Sequence, residues 1–336
     1  MSQLFLAPME GVTDWVMRDI LTEIGGIDHC VTEFLRVTTQ LHSKKVFYKW
    51  CPELHTGSKT RAGTPVFIQL LGGQAEPLAM NAVRAMELGA LGIDLNFGCP
   101  AKTVNRHDGG ASLLKCPERI FDIVKTVRAS LPETTPVTVK IRLGWDDPRA
   151  CLETSQAAAD AGATWLTVHC RTKVAGYRPP AHWEWIPKIQ EKIKIPVIAN
   201  GDISTVESFL KCQDVSGADQ FMIGRAALMD PHLFLKIKTV IAKNSSSTVK
   251  ESELLKRKYP QVGSLLINFF AASTSHINEH FATARTKQWL QQLSLKEPRA
   301  KEVFDAIKIL KKPHEFYHGL EKYATDLNFP LKNDSH

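Results

Sequence analysis

No run of eighteen apolar residues occurs anywhere in the 336-residue chain, so a membrane-spanning helix is not expected. The amino terminus, Met1-Ser2-Gln3-Leu4-Phe5-Leu6-Ala7-Pro8, has no basic segment ahead of its apolar residues. It enters a strand at once, which argues against a secretory leader. The seven cysteines (30, 51, 99, 116, 151, 170, 212) are scattered, odd in number and contain no CxxC pair. That excludes a disulfide framework and a structural zinc, and it points to a reducing compartment, the cytoplasm. Cys51 and His55 come nearest to a metal spacing, and no metal is expected there. No GxGxxG follows the first strand, which removes the dinucleotide fingerprint of a doubly wound sheet. No internal repeat is visible beyond an alternation of strand-like and helical segments.

What is present is, first, that alternation. Strand-like runs are Leu4–Leu6, His29–Thr32, Val66–Leu70, Ile93–Asn96, Val137–Ile141, Trp165–His169, Pro196–Asn200 and Phe221–Gly224. Helical patterns such as 79–88, 117–130 and 152–161 lie between them, and glycines at 162 and 217 stop two of these just before a strand. Eight βα units in about 240 residues predict an α/β protein, a (β/α)8 TIM barrel. The connection from Val37 to Thr64 is long and interleaves Lys44, Lys45, Lys49, Lys59 and Arg61 with Phe47, Tyr48 and Trp50. It reads equally as a nucleic-acid contact and as a packed excursion with a solvated rim. Composition changes after residue 240: a polar stretch at 243–253 reads as a linker, and two later helices carry apolar residues at i, i+3, i+4 spacing. The expected organisation is a barrel over 1–242, a linker over 243–253, a small C-terminal helical domain over 254–322 and a tail over 323–336. Net charge is +7 and the pI is near 9.0, which suits a polyanionic partner without demanding one.

The fourth strand is the centre of the reading. Ile93-Asp94-Leu95-Asn96 runs into Phe97-Gly98-Cys99-Pro100, so a thiol sits just past the end of a buried strand, where such barrels build their sites. Polar or special residues mark every other strand end. They are Pro8, Met9 and Glu10; Glu33 and Arg36; Gln69; Lys140 and Arg142; His169 and Arg171; Asn200, Gly201 and Asp202; and Gly224 and Arg225. The last two ends suit a phosphate held by backbone N–H groups with Arg225 assisting. Lys140 aims a cation into the same mouth, and the Gln69 amide can both donate and accept. Phosphate at one end and cation plus amide nearer the centre match flavin mononucleotide, although phosphosugar aldolases share the phosphate end.

Six motifs in order then resemble the tRNA-dihydrouridine synthases. These are Ala7-Pro8-Met9, Asn96–Pro100, Lys140-Ile141-Arg142, His169-Cys170-Arg171-Thr172, Ala199–Ile203 and Met222–Arg225. Thr32–Val37, Arg142–Asp146 and Arg285-Thr286-Lys287-Gln288-Trp289-Leu290 are similar to the bacterial C branch, which serves position 16 of the tRNA D-loop. The resemblance implies FMN on Pro8, Met9, Glu10, Gln69, Lys140, His169, Asn200, Gly201, Asp202, Gly224 and Arg225, with NADPH as reductant. It implies Asn96, Arg142 and Arg171 on the uracil side, Cys99 as proton donor, and Arg36, Arg285 and Lys287 against tRNA, with no protein partner. Two departures stand out: Cys170 replaces the family's glycine, and the loop Asn105-Arg106-His107-Asp108 is bulkier and more charged. A small-molecule FMN-dependent pyrimidine or ene oxidoreductase on the same barrel, or an RNA-binding protein with a relict barrel, are the rival readings.

Overall fold

The computed structural model describes residues 2–244 and 260–327. They form two compact units. Of the described residues, one unit comprises 2–15 and 27–223, the other 16–26, 224–244 and 260–327. The boundary expected at residue 242 falls within the second unit, inside the helix Leu233–Asn244. Of the expected linker, residues 245–253 lie outside the described residues, as do residues 328–336 of the expected tail.

The first unit contains nine strands: β1 (Gln3–Leu6), β2 (His29–Val31), β3 (Leu35–Arg36), β4 (Val66–Leu71), β5 (Ile93–Asn96), β6 (Val137–Gly144), β7 (Leu166–Thr172), β8 (Val197–Asn200) and β9 (Gln220–Ile223). All pairings between them are parallel. β1 pairs with β9 and with β2, and β2 pairs with β4, so eight strands close into a barrel. The two-residue β3 is an extra strand beside the end of β4, aligned Leu35 to Leu70 and Arg36 to Leu71. It is too short for a periodicity to announce it. Strands buried on both faces read as near-continuous apolar runs, as they do in β4, whose six residues are all buried.

β6 and β7 run three residues past their expected ends, to Gly144 and Thr172, and carry Arg142 and Arg171 within the sheet. The helix expected from residue 79 starts instead at Ala75, because Pro77 sits in the first turn, where a missing N–H leaves no bond unmade. The long excursion after β3 is a packed one with a solvated rim. A helix Lys44–Trp50 and a 3-10 turn Pro52–Thr56 bury Phe47, Cys51 and Leu54, while Lys44, Lys45, Lys49, Lys59 and Arg61 stay exposed at the rim.

At the amino-terminal end of the barrel His29 is enclosed by aromatic rings. Phe67 lies edge-on at 4.2 Å, Phe5 at 5.3 Å and Trp165 at 5.7 Å between ring centroids. Among the described residues its buried Nε2 meets no hydrogen-bond partner, and burial takes its pKa down to about 4.

In the second unit, helices Val262–His276, Glu279–Ser294, Pro298–Ile307 and Pro313–Tyr323 pack through the expected apolar stripe of Val262, Leu265, Leu266, Phe269 and Phe270. Trp289 is the anchor, fully buried with its Nε1 donating to Leu228 O at 3.1 Å. Buried Asp230 binds Lys236 at 2.8 Å and Lys296 at 3.6 Å. No helix among the described residues is long and apolar enough to cross a membrane.

Candidate active site

The carboxyl ends of the strands gather the expected residues of the first unit at one end of the barrel. β5 delivers Asn96, and the chain then turns at Gly98 into Cys99. The turn is fixed from three sides. Asn96 Oδ1 accepts from Gly98 N at 2.9 Å, Ala111 N donates to Cys99 O at 3.0 Å, and the Arg142 Nε donates to Gly98 O at 2.8 Å. Gly110 must be glycine: its φ is +61°, and a Cβ there would stand 2.8 Å from Cys99 O. Cys99 is buried among Leu71, Val104, Phe34 and Ala101. Burial pushes its thiol pKa up, and the charge of Glu10 adds to this. A backbone hydrogen bond from Ala101 and the cations Arg142 and Arg36 oppose it. The group is therefore a thiol, a proton source, at neutral pH.

Arg142 is nearly fully buried and over-determined. Besides Gly98 O it donates to Thr172 O at 3.2 Å and Gly176 O at 2.9 Å, and it packs against the Tyr177 ring at 5.3 Å. Lys140, half-buried, donates to Asn200 Oδ1 at 3.2 Å, and Asn200 Nδ2 in turn donates to Met222 O at 2.8 Å. Burial, and then the repulsion of Arg142, bring the Lys140 ammonium down to about 8, although Asp94 pulls the other way. A cation whose hydrogen bond goes to a neutral amide is one in want of an anion.

Arg171 is 1% exposed and works as a strut. It donates to Arg178 O at 2.7 Å, forms a short ion pair with Asp202, and lies 3.3 Å from His169 Nε2. Because arginine only donates, His169 Nε2 must accept there, which places that ring's proton on Nδ1. Asp202 also takes the Ala181 N–H at 2.7 Å, and Trp183 Nε1 donates to Gly201 O at 2.8 Å. The backbone at Gly201 (φ +123°) and Asp202 (φ +53°) is unusual, and a Cβ at Gly201 would press on Ala181 at 3.0 Å. After β1, Pro8 and Met9 are half-buried and Glu10 is exposed, while Met9 N donates to Thr13 Oγ1 at 2.8 Å. Glu33 holds the following turn through the N–H groups of Gly11 and Val12. Arg36 reaches Thr103 O at 3.4 Å. The bulky loop that departs from expectation is held by Asn105, which donates to Ala101 O at 2.8 Å and accepts from Ser112 N at 2.9 Å.

The remaining expected residues belong to the second unit. Gly224 and Arg225 follow β9 directly and open the helix Ala226–Met229. Arg285 is buried, bonded to Gln288 and set over the Phe269 ring at 5.6 Å. Lys287 donates to Lys308 O at 2.8 Å and Leu310 O at 2.5 Å, which ties off the end of the helix Pro298–Ile307. Both cations are engaged within their own unit.

Sequence reasoning passed over Asp94, Thr138, Tyr177 and Trp183. Asp94 and Asn96 on β5, like Thr138 and Lys140 on β6, stand two apart and so share the inward face, a period that would have found them. Cys170 is fully buried, and burial pushes its thiol above the usual range.

Comparison with known proteins agrees with this geometry. The family model described as dihydrouridine synthase (Dus) matches residues 5–312. A tRNA-dihydrouridine(16) synthase of Neisseria meningitidis serogroup B is 44% identical, over 97% of this chain and 96% of that protein. One of Pseudomonas syringae pv. tomato is 46% identical, over 91% of this chain and 94% of that protein. Among solved structures, a variant of NCR from Zymomonas mobilis aligns with a TM-score of 0.51 at 17% identity, covering 77% of this chain and 94% of that one, a likeness of fold alone. A family match from the first strand of the barrel into the helical unit, with relatives this similar along nearly the whole chain, establishes that the chain belongs to the dihydrouridine synthase family.

Proposed function

We propose that this protein reduces the C5=C6 bond of uridine 16 in the D-loop of tRNA to 5,6-dihydrouridine, with FMN as its resident cofactor and NADPH as reductant. The observation that carries the proposal is the Cys99 thiol, held further in its protonated form by burial and fixed beside the Arg142 guanidinium past the end of β5. The names of the similar proteins support the substrate and the position.

The residues present fit FMN on one structural ground: Lys140 is a half-buried cation without an anionic hydrogen-bond partner among the described residues, at the centre of the strand ends. Lys140 and Gln69 would hold the ring, and His169, Asn200, Gly201 and Asp202 the phosphate end. Bound there, FMN would supply the hydride that reduces the uracil. The protein's own part is orientation and proton supply. The target base must leave its stack to reach a site this deep. Asn96 and Arg142 would receive it, with the guanidinium stabilising negative charge on a uracil carbonyl as it develops. Cys99 would then give its proton to C5 as a general acid, a role that needs the thiol and not the thiolate. Glu10 at the rim favours that protonated form.

The test is incubation of the purified protein with NADPH and tRNA lacking dihydrouridine, mapped by mass spectrometry. Dihydrouridine at position 16 is expected. Activity on free pyrimidines without activity on tRNA would overturn the proposal in favour of a small-molecule reductase. Modification at 17 or 20 alone would overturn only the position.

A further inference from the structure

Inside the barrel, one continuous chain of hydrogen bonds leads from β6 to the catalytic turn. Thr138 Oγ1 donates to Asp94 Oδ1 at 2.5 Å. Gln69 Nε2 donates to Asp94 Oδ2 at 2.7 Å, and Asn96 Nδ2 donates to Gln69 Oε1 at 2.8 Å. Asn96 Oδ1 then accepts the Gly98 N–H at 2.9 Å. Thr138, Asp94 and Gln69 are at most 1% exposed, and Asn96 is 8% exposed, so water does not stand in for the bonds among these four. Strand register builds the chain: Gln69 lies opposite Asp94, and Asp94 opposite Thr138.

We propose that Asp94 is a positioning residue: it fixes which way the Gln69 and Asn96 amides face, and through Asn96 it anchors the Gly98–Cys99 turn. The proposal rests on the reading of Gln69, Asn96 and Cys99 as site residues.

Hydrogen-bond polarity forces this arrangement. A carboxamide has a donor end and an acceptor end, and two amides in series can face either way. Burial raises the Asp94 pKa, and the hydrogen bonds from Gln69 and Thr138 and the charge of Lys140 oppose it. As a carboxylate Asp94 only accepts, so Gln69 must turn Nε2 towards it and leave Oε1 for Asn96. Asn96 must then present Nδ2 to Gln69, which leaves its oxygen for Gly98 N–H. Reversing both amides would set Gln69 Oε1 against the Asp94 carboxylate and Asn96 Nδ2 against the Gly98 N–H. That puts two acceptors together at one end and two donors at the other, in a site where unpaired polar groups are strongly destabilising. Asp94, an obligate acceptor at one end, and the Gly98 N–H, an obligate donor at the other, therefore agree on the faces that Gln69 and Asn96 offer to cofactor and base.

Substitutions can be chosen to separate polarity from bulk. Asp94→Asn keeps an oxygen for Gln69 and gives its amide nitrogen to the Thr138 hydroxyl, which can turn towards Ile93 O, 3.4 Å away. Asp94→Leu keeps the volume and offers no acceptor. Asn96→Asp puts a carboxylate against Gln69 Oε1, so both ends of Gln69 face acceptors. Combining Asp94→Asn with Asn96→Asp restores a fully satisfied chain of opposite polarity, with Gln69 reversed.

The measurement is hydrogen exchange of the Gly98 amide in the FMN-loaded protein, with FMN affinity read by fluorescence titration. Asp94→Asn should keep Gly98 protection near that of the wild type. Asp94→Leu and Asn96→Asp each leave Gly98 an acceptor but break the chain that holds residue 96 behind it, so each should exchange about tenfold faster, the equivalent of that one lost hydrogen bond. The double variant should recover protection, yet bind FMN differently because Gln69 now presents its other end. Should Asp94→Leu not fold, the Asn96→Asp pair decides alone. A double variant as poorly protected as Asn96→Asp, or Gly98 exchange unmoved by either disruptive change, would overturn the proposal. These readouts require no turnover, so failure of the uridine-reduction reading would show separately, as wild-type protein inactive on tRNA with the same exchange pattern.

Discussion

Lys140→Met separates the destabilising effect of the site from its use. The side chain keeps its stem and loses its charge. In the folded protein the ammonium pKa is about 8, against 10.5 for an exposed lysine. The unfolded chain therefore holds this proton more tightly, and stability must rise with pH wherever only the unfolded state remains protonated. The penalty is fully present below pH 8 and fades as pH rises from there to 10.5. At pH 7 it amounts to about 3 kcal/mol at most, since each pH unit between the folded and unfolded values corresponds to about 1.4 kcal/mol. Lys140→Met removes it but leaves Asn200 Oδ1 without its donor, a loss of about 1–3 kcal/mol. The FMN-free variant should thus be about as stable as the wild type at pH 7, or somewhat more so. Urea unfolding of both proteins, freed of FMN, at pH 7 and pH 9.5 gives the sharper result. The wild type should gain on the variant by about 2 kcal/mol over that interval, since all other groups titrate in both and cancel. FMN retention should fall in the variant at both pH values. A stability difference that does not move with pH would refute the claim that Lys140 is a cation destabilised by burial. Full FMN retention by the variant would refute its assignment to the cofactor.

Three further outcomes are expected. Cys99→Ala should leave reduction of the bound flavin by NADPH intact while slowing uridine reduction about 10²–10⁴-fold in single-turnover assays, and normal turnover would remove Cys99 as the acid. His29, whose pKa falls from 6.5 to about 4 on folding, should give stability that is full above pH 6.5 and lost as pH drops through 4, about 3 kcal/mol in all. His29→Leu should therefore lower the acid-unfolding midpoint, and an unchanged midpoint would show that the ring titrates normally. Lys287→Ala should destabilise the helical unit by about 1–2 kcal/mol, because it frees the carbonyls of Lys308 and Leu310. A drop of about one in the salt slope of tRNA binding, measured alongside, would add a phosphate contact to that role.

Much of the barrel is legible in the chain because its strands are buried on both faces and turn residues punctuate them. Asn96–Pro100 and Ala199–Ile203 could be assigned to strand ends before any contact was known, since glycine and polar residues at the close of an apolar run have few other places to be. Register is another matter. That Gln69 faces Asp94, and Asp94 faces Thr138, depends on how far neighbouring strands are staggered around the closed barrel, and no single strand encodes that. Asp94 alone in an apolar run reads as an isolated charge. Only the closed sheet makes it the fixed end of a hydrogen-bond chain.

The basic helical segment shows the opposite for charge. Arg285 and Lys287 lie on one helix in a motif similar to the C branch, and their charges suggest a polar face. Yet Arg285 lays its guanidinium over Phe269 and bonds to Gln288, while Lys287 commits its ammonium to two carbonyls just past the end of a neighbouring helix. Long cationic side chains can run along an apolar surface and still satisfy their heads, so helical periodicity cannot say which cations reach solvent. Arg299, Lys301, Lys308, Lys311 and Lys312 are among the cations left exposed on this unit, as are Lys296 and Lys322, and of these Lys301 and Lys308 share Asp305 while Lys312 pairs with Glu315. Phosphate contacts fix the register of a nucleic acid without reading its bases. If tRNA is turned so that position 16 meets Cys99, the exposed cations are the ones free to exchange an intramolecular partner for a phosphate. Arg285 and Lys287 would then serve position 16 by shaping the helices that carry them.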